Sequence, residues 1–199
     1  MIALFGAAGS GKSLQGEILA EKYGWKWLSA GQLLRDQDNP EISKVQQTGE
    51  LVDDALVTKL MHDAIMKFEA SGEKVFLDGF PRNGTQAKLM AENGDIKKIE
   101  GVIVLEVPRD ELWKRMEGRQ RVDDTRESAE KRWEIYEQNI YSILPLFEAN
   151  NVKVTTLDGL GSIEEITSRI EAVLSEWGMI DAVAAGSEEK DGPEKSYGE

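Results

Sequence analysis

The chain has 199 residues, with 24 basic against 37 acidic side chains, a net charge of −13, one histidine and no cysteine. That acid excess argues against a nucleic-acid partner and against an anionic membrane surface, and the lack of cysteine excludes disulfides and thiolate metal sites. The length suits one domain with a sizeable core, no apolar run approaches a membrane span, and the motif at Gly6 arrives before a signal peptide would fit, so a soluble, cytoplasmic protein is expected.

Met1 to Phe5 is a short apolar run that reads as a strand, and helical spacing begins at Ser13. Between them lies Gly6-x-x-x-x-Gly11-Lys12-Ser13, the spacing of a phosphate-binding P-loop. Glycines at 6, 9 and 11 let backbone N–H groups converge on an anion, and the following helix N-terminus adds its dipole. Lys12 supplies a mobile positive charge for the β- and γ-phosphates, and Ser13 a hydroxyl for phosphate-bound Mg²⁺. The four fixed positions match by accident in roughly one such chain in a hundred.

Leu14 to Tyr23 is predicted helical and stops at Gly24; Trp25 to Leu28 is a second strand. Ser29 caps a short helix, Gly31 to Arg35, which brings in the first arginine. Asn39-Pro40 turns the chain into a helix that runs to about Gln47 and breaks at Gly49, and Leu51 to Phe68 follows with a helical apolar stripe. His62 lies in that stretch, and a lone imidazole there reads as structural or solvated.

Lys74 to Asp78 is a third strand ending in a carboxylate. An acid at the end of a strand beside a P-loop is suited to support Mg²⁺ through water, which makes Asp78 a metal candidate alongside Ser13; it also suits the start of the Asp78-Gly79 turn. Gly79-Phe80-Pro81-Arg82 presents a second arginine just past the strand end, where ligands of open α/β sheets collect. Asn83 to Glu92 is helical, Gly101 to Val107 is a fourth strand, and Pro108 opens another helix.

Five of the nine arginines (Arg115, Arg119, Arg121, Arg126 and Arg132) fall within residues 115 to 132. Arg115 and Arg119 share a helix face, a loop follows Gly118, and a new helix starts near Thr125 with Arg132 two turns inside it. Two helices joined by such a loop make a lid for polyphosphate, because forked guanidinium groups suit phosphate better than exposed pairing. The interleaved acids also permit a surface of solvated salt bridges. Val152 to Leu157 is a fifth strand and Ser162 caps a last amphipathic helix, after which residues 178–199 read as a disordered acidic tail. Five strands alternating with helices predict an α/β fold with a parallel sheet covered on both faces.

GAAGSGKSLQ, LSAGQLLR, GELV, FLDGFPR and GRQRVDDTRESAEKR, in that order, resemble the nucleoside monophosphate kinase family, its short-lid adenylate kinase branch in particular. The resemblance spans Met1 to about Trp177. It implies a P-loop NTPase-type core (1–28, 69–114 and 127–177), a helical monophosphate-binding insertion (29–68) and a short lid (115–126). It also implies reversible phosphoryl transfer from ATP to a nucleoside monophosphate, AMP above all, with Mg²⁺ and without the zinc of some longer lids, in a monomer. Carried over by residue, Gly9, Ser10, Gly11, Lys12, Ser13 and Leu14 match the ATP phosphate loop. Arg115 matches the arginine against the ATP base, and Gly161 the carbonyl that meets it. Arg35 and Arg82 match the arginines that hold the monophosphate, with Ala30, Gly79, Phe80 and Pro81 on the same side. Glu50, Leu51 and Val52 match the backbone beside the base, and Gln86 the glutamine that reads adenine. Lys12, Arg82, Arg119, Arg121 and Arg132 match the cations that clamp the transferring group.

The departures are specific. Ala8 stands where the family usually has proline, Ser13-Leu14 where it has Gly-Thr, Ala30 where threonine is common, Gln32 where aspartate is usual, and Asp53 where proline is common. LSAG, FPRN and DDTRES look like UMP/CMP kinases, whereas Gln86 points to adenine. Three readings therefore stand at this point: an adenylate kinase, a pyrimidine monophosphate kinase, and a nucleotide-binding protein without turnover.

Overall fold

The computed structural model describes residues 1–48, 50–117 and 125–181. Its centre is a five-stranded, all-parallel sheet of β1 (Ile2–Gly6), β2 (Lys26–Ser29), β3 (Val75–Asp78), β4 (Gly101–Glu106) and β5 (Lys153–Asp158), in the order β2-β3-β1-β4-β5. The connections are helical: α1 (Lys12–Tyr23), α2 (Ala30–Arg35), α3 (Pro40–Thr48), α4 (Asp54–Ser71), α5 (Gly84–Glu92), α6 (Arg109–Glu117), α7 (Arg126–Glu148) and α8 (Ile163–Glu176). The predicted α/β class and both-faced covering are what is observed. Among the described residues, no helix is long and apolar enough to cross a membrane.

The strands alternate their side chains between two cores, as the two-residue repeat of a β-strand requires. Ala3, Phe5, Val75, Leu77, Val102 and Val104 meet Val57, Met61 and Ile65 of α4 and Ile140, Ile143 and Phe147 of α7 on one face. Ile2, Leu4, Phe76, Ile103 and Leu105 meet Leu19 of α1 and Ile166, Ile170 and Leu174 of α8 on the other. Parallel pairing sets Leu4 opposite both Asp78 and Ile103, and Ser29 opposite Asp78. The carboxyl ends of β1, β2 and β3 thus share one edge, and because the chain passes from β1 outward to β2 and later reaches β4 on the other side of β1, the strand order reverses beside β1, the arrangement that opens a crevice for ligands.

Several boundaries differ from expectation, each for a local reason. The helix predicted from Leu51 starts at Asp54, because the Asp53 carboxylate accepts the Leu56 N–H at 2.9 Å and caps it there. Leu51 and Val52 are left outside the helix. Helix α5 begins after Asn83, whose side chain caps it through Gln86 N–H. The 3₁₀ turn Asp95–Lys98 was not anticipated; it carries a buried Asp95 whose Oδ2 lies 2.8 Å from His62 Nδ1, so the one histidine is a structural partner. Ordered chain continues past Gly178, where the tail is expected to begin: Met179 N–H bonds the Leu174 carbonyl at 2.8 Å, and Met179 and Ile180 pack on the α1/α8 core. The predicted break at Gly49 and the tail from 182 onward lie outside the described residues.

Gly101 has an ordinary backbone but no room. A Cβ there would stand 2.1 Å from Cζ3 of Trp177, so the ring closes the end of α8 directly onto β4. Gly101→Ala is expected to cost about 1–3 kcal/mol by overpacking, measured as a lowered unfolding midpoint. Trp177→Ala in the same chain should relieve part of that loss, because the two changes share one contact.

Candidate active site

The P-loop follows the central strand. Gly9 and Gly11 take φ of 94° and 91°, values that a side chain rarely permits, and a Cβ at Gly9 would lie 2.6 Å from the Leu112 carbonyl. No side chain caps α1 at Gly11 and its first turn holds no acid, so its leading N–H groups and positive dipole end are presented to an anion. Helix α7 supports the loop, with Trp133 Nε1 donating to the Ala8 carbonyl at 2.8 Å. Arg115 supports it from α6: its Nη1 donates to the Ser10 carbonyl at 3.3 Å and its Nε to Glu111 at 3.0 Å.

Beside this loop a cleft encloses about 1360 Å³, open solvent at its mouth included. Gly9, Lys12 and Ser13 line one end. Ala30, Arg35, Glu50, Leu51, Val52, Gly79, Pro81, Arg82, Gln86 and Arg132 line the rest, together with Asp78. Four cationic side chains, Lys12, Arg35, Arg82 and Arg132, therefore share one space in a chain of strongly acidic balance.

Other expected residues take different places. Ser10 is fully buried beneath the loop, and Phe80 is 1% exposed within the apolar core and does not line the cleft. Leu14 is exposed on α1, and Gly161 is exposed beyond β5, next to the Ser162 cap of α8. Gly11, Leu14, Arg115 and Gly161 do not line the cleft, which reaches the expected ATP side only through the loop itself. Arg119 and Arg121 lie outside the described residues.

Two arginines converge on α2. A Cβ placed on Gly31 would stand 3.5 Å from both Arg35 Nη1 and Arg82 Nη2, so both guanidinium groups end against that glycine. Arg35 is aimed by Gln32, whose Oε1 accepts from Nε and Nη2 at 3.2 and 2.9 Å. Arg82 is aimed by its own turn, with Nε donating to the Gly79 carbonyl at 2.9 Å. Arg132 reaches from α7 to the Gln46 carbonyl at 3.1 Å, and Gln46 Nε2 donates to the Gly31 carbonyl at 3.3 Å.

The expected metal residues meet as an oxygen pair. Ser13 Oγ donates to Asp78 Oδ2 at 2.6 Å across 65 residues of sequence. Asp78 is 2% exposed, and its Oδ1 is buried with no hydrogen-bond partner among the described residues. A buried carboxylate oxygen left unpaired is costly, and hard oxygen donors at a phosphate loop suit Mg²⁺, so these residues fit the ion. Among the described residues, no three His, Cys, Asp or Glu side chains cluster as a metal cage. Tyr136 also lines the cleft, and burial with nearby Glu106 pushes its phenol well above the ordinary range, which keeps it neutral.

Sequence reasoning missed Gln46, Trp133 and Asp54. The first two act on or through backbone carbonyls, which any residue supplies. Asp54 accepts hydrogen bonds from Asn83 and Gln86, and its one visible signal was an acid in the first turn of α4.

Comparison with known proteins identifies the family. The adenylate kinase family model matches residues 4–152. The adenylate kinase of Maricaulis maris is 35% identical over 189 residues, covering 88% of this chain and 98% of that one. Those of Thermus thermophilus and Fusobacterium nucleatum are 33% and 34% identical, covering 87% of this chain and 96% and 97% of theirs. With a P-loop at the central strand, cations gathered on one cleft, and relatives matched over nearly their whole length, the chain belongs to the adenylate kinase family.

Proposed function

We propose that this chain catalyses reversible phosphoryl transfer from ATP to AMP, giving two ADP, as a cytoplasmic monomer. The observation that carries the reading is the convergence of Lys12, Arg35, Arg82 and Arg132 on one cleft beside the P-loop. The net charge of −13 supports an enzyme that works away from nucleic acid and anionic membranes.

A phosphate oxygen of AMP attacks the γ-phosphorus of ATP; the new O–P bond forms as the bond to the β-phosphate oxygen breaks, and ADP leaves. The attacking group needs no side-chain base, because a phosphate's second pKa is about 6. The cleft fits that economy: His62 is engaged with Asp95, and Tyr136 stays protonated. The protein's task is alignment and charge compensation. The α1 N-terminus and loop amides hold the ATP phosphates, Lys12 follows the transferred group, and Arg35 and Arg82 hold the monophosphate. Arg132 bridges the two sites, and Arg119 and Arg121 are assigned to the same clamp. Ser13 and Asp78 would hold Mg²⁺, which when bound neutralises charge on the β- and γ-phosphate oxygens.

A coupled assay of ADP release with AMP, CMP, UMP and GMP as acceptors tests the reading. Turnover is expected to be dominated by AMP. Turnover confined to CMP and UMP would make it a pyrimidine monophosphate kinase, and none with any acceptor would leave a nucleotide-binding protein.

A further inference from the structure

Asp54 touches no part of the phosphate machinery, yet its carboxylate closes a small network at the base end of the cleft. Its Oδ1 accepts from Gln86 Nε2 and from Asn83 Nδ2, each at 2.8 Å. Gln86 is 1% exposed and lines the cleft, and its Oε1 accepts the Arg82 N–H at 2.7 Å. Asn83 in turn caps α5 by accepting the Gln86 N–H at 2.8 Å. The first residue of α4 is thereby tied to the first turn of α5.

The orientation of a glutamine amide is ordinarily ambiguous, but here the neighbours determine it. A backbone N–H can only donate, so the atom facing Arg82 is the oxygen. A carboxylate can only accept, so the atom facing Asp54 is the nitrogen. After both bonds are made, the amide retains one acceptor position and one N–H. That pair matches a base edge with an amino group next to a bare ring nitrogen, as in adenine and cytosine. With the base held in that register through its bound phosphate, the same pair opposes an edge with a carbonyl next to a ring N–H, as in hypoxanthine, guanine and uracil.

We propose that Asp54 is a positioning residue for acceptor specificity: it locks the Gln86 amide with its nitrogen toward α4, so that amino-bearing bases are accepted and oxo-bearing bases refused. The inference rests on the proposed AMP kinase activity and adds the determinant of its base preference. A site built on fixed polar groups rejects a mismatched analogue strongly, because the buried groups are then left unpaired.

The test is steady-state kinetics of the full chain with ATP as donor and AMP or IMP as acceptor. Asp54→Ala should lower the AMP/IMP ratio of kcat/KM at least tenfold, mainly through KM for AMP, with KM for ATP unchanged. Asp54→Asn should keep the ratio within about threefold, since its carbonyl still accepts both N–H groups. Asp53→Ala is the structural control: it removes the α4 cap and should lower the unfolding midpoint without moving the ratio. Asp54→Ser, whose oxygen is too short to reach Gln86, gives the same readout if the alanine variant does not fold. An unchanged ratio in Asp54→Ala or Asp54→Ser overturns the inference, as does an equal change in Asp53→Ala. Absence of AMP turnover in the unmodified enzyme would overturn the proposed function and this inference with it.

Discussion

Lys12→Ala is expected to lower kcat by about three orders of magnitude while leaving the unfolding midpoint within a degree or two. Lys12 is the first residue of α1, half-buried at the phosphate end of the cleft and outside all of the apolar cores. In the proposed mechanism the loop amides and the helix dipole already favour a bound anion, and the added contribution of Lys12 falls on charge that moves during transfer. Removing one preorganised donor to a developing oxyanion costs about 10²–10³ in rate, and cations aimed at a transferring phosphoryl group about 10³–10⁵. The role proposed for Lys12, a positive charge that follows the transferred group, belongs to the second range. The measurement is coupled ADP release beside a thermal melt. Activity within tenfold of the unmodified enzyme would remove Lys12 from the mechanism, and a collapsed melt would show that the residue supports the fold instead.

The loop and the sheet were legible because backbone geometry restricts which residues can form them. Positive φ at Gly9 and Gly11 excludes most side chains, so the motif survives as spacing in the sequence. Alternating apolar residues in β1, β3 and β4 have to face two cores, and the caps Ser29, Thr125 and Ser162 announce helix starts by chemistry. The start of α4 was not legible: Leu51 and Val52 continue the apolar stripe of the helix in sequence, yet they precede the Asp53 cap and line the cleft. Tertiary bonds to carbonyls leave no residue preference at the accepting position, which hid the Arg132–Gln46 and Trp133–Ala8 links. Asp54 was hidden for a related reason. An acid in a first helical turn is ordinary, and only the fold brings Asn83 and Gln86 to it from some thirty residues away.

Arg82→Ala is expected to lower kcat/KM for AMP by roughly 10²–10³, with KM for ATP moving less than about threefold. Hydrogen bonds to a charged partner contribute about 1.5–3 kcal/mol each, and a guanidinium fork offers a phosphate two of them. Arg82 is exposed, its Nε is held by the Gly79 carbonyl and its Nη2 ends against Gly31, so the tether leaves less rotamer freedom to lose on binding. Two guanidinium groups that end against one glycine repel, and a phosphate dianion held by both would turn that repulsion into attraction. Arg82→Lys keeps the charge but loses the fork and the Gly79 tether, and should recover only part of the loss. The proposed division of sites decides the outcome: Lys12 lies at the loop end of the cleft, whereas Arg82 follows β3 and is proposed to hold the monophosphate. Product-inhibition and initial-rate kinetics with each substrate varied in turn separate the two KM values. A variant whose ATP KM rises while its AMP KM holds would place Arg82 on the donor phosphates, and the assignment of Arg35 would have to move with it, because the two are built around the same glycine.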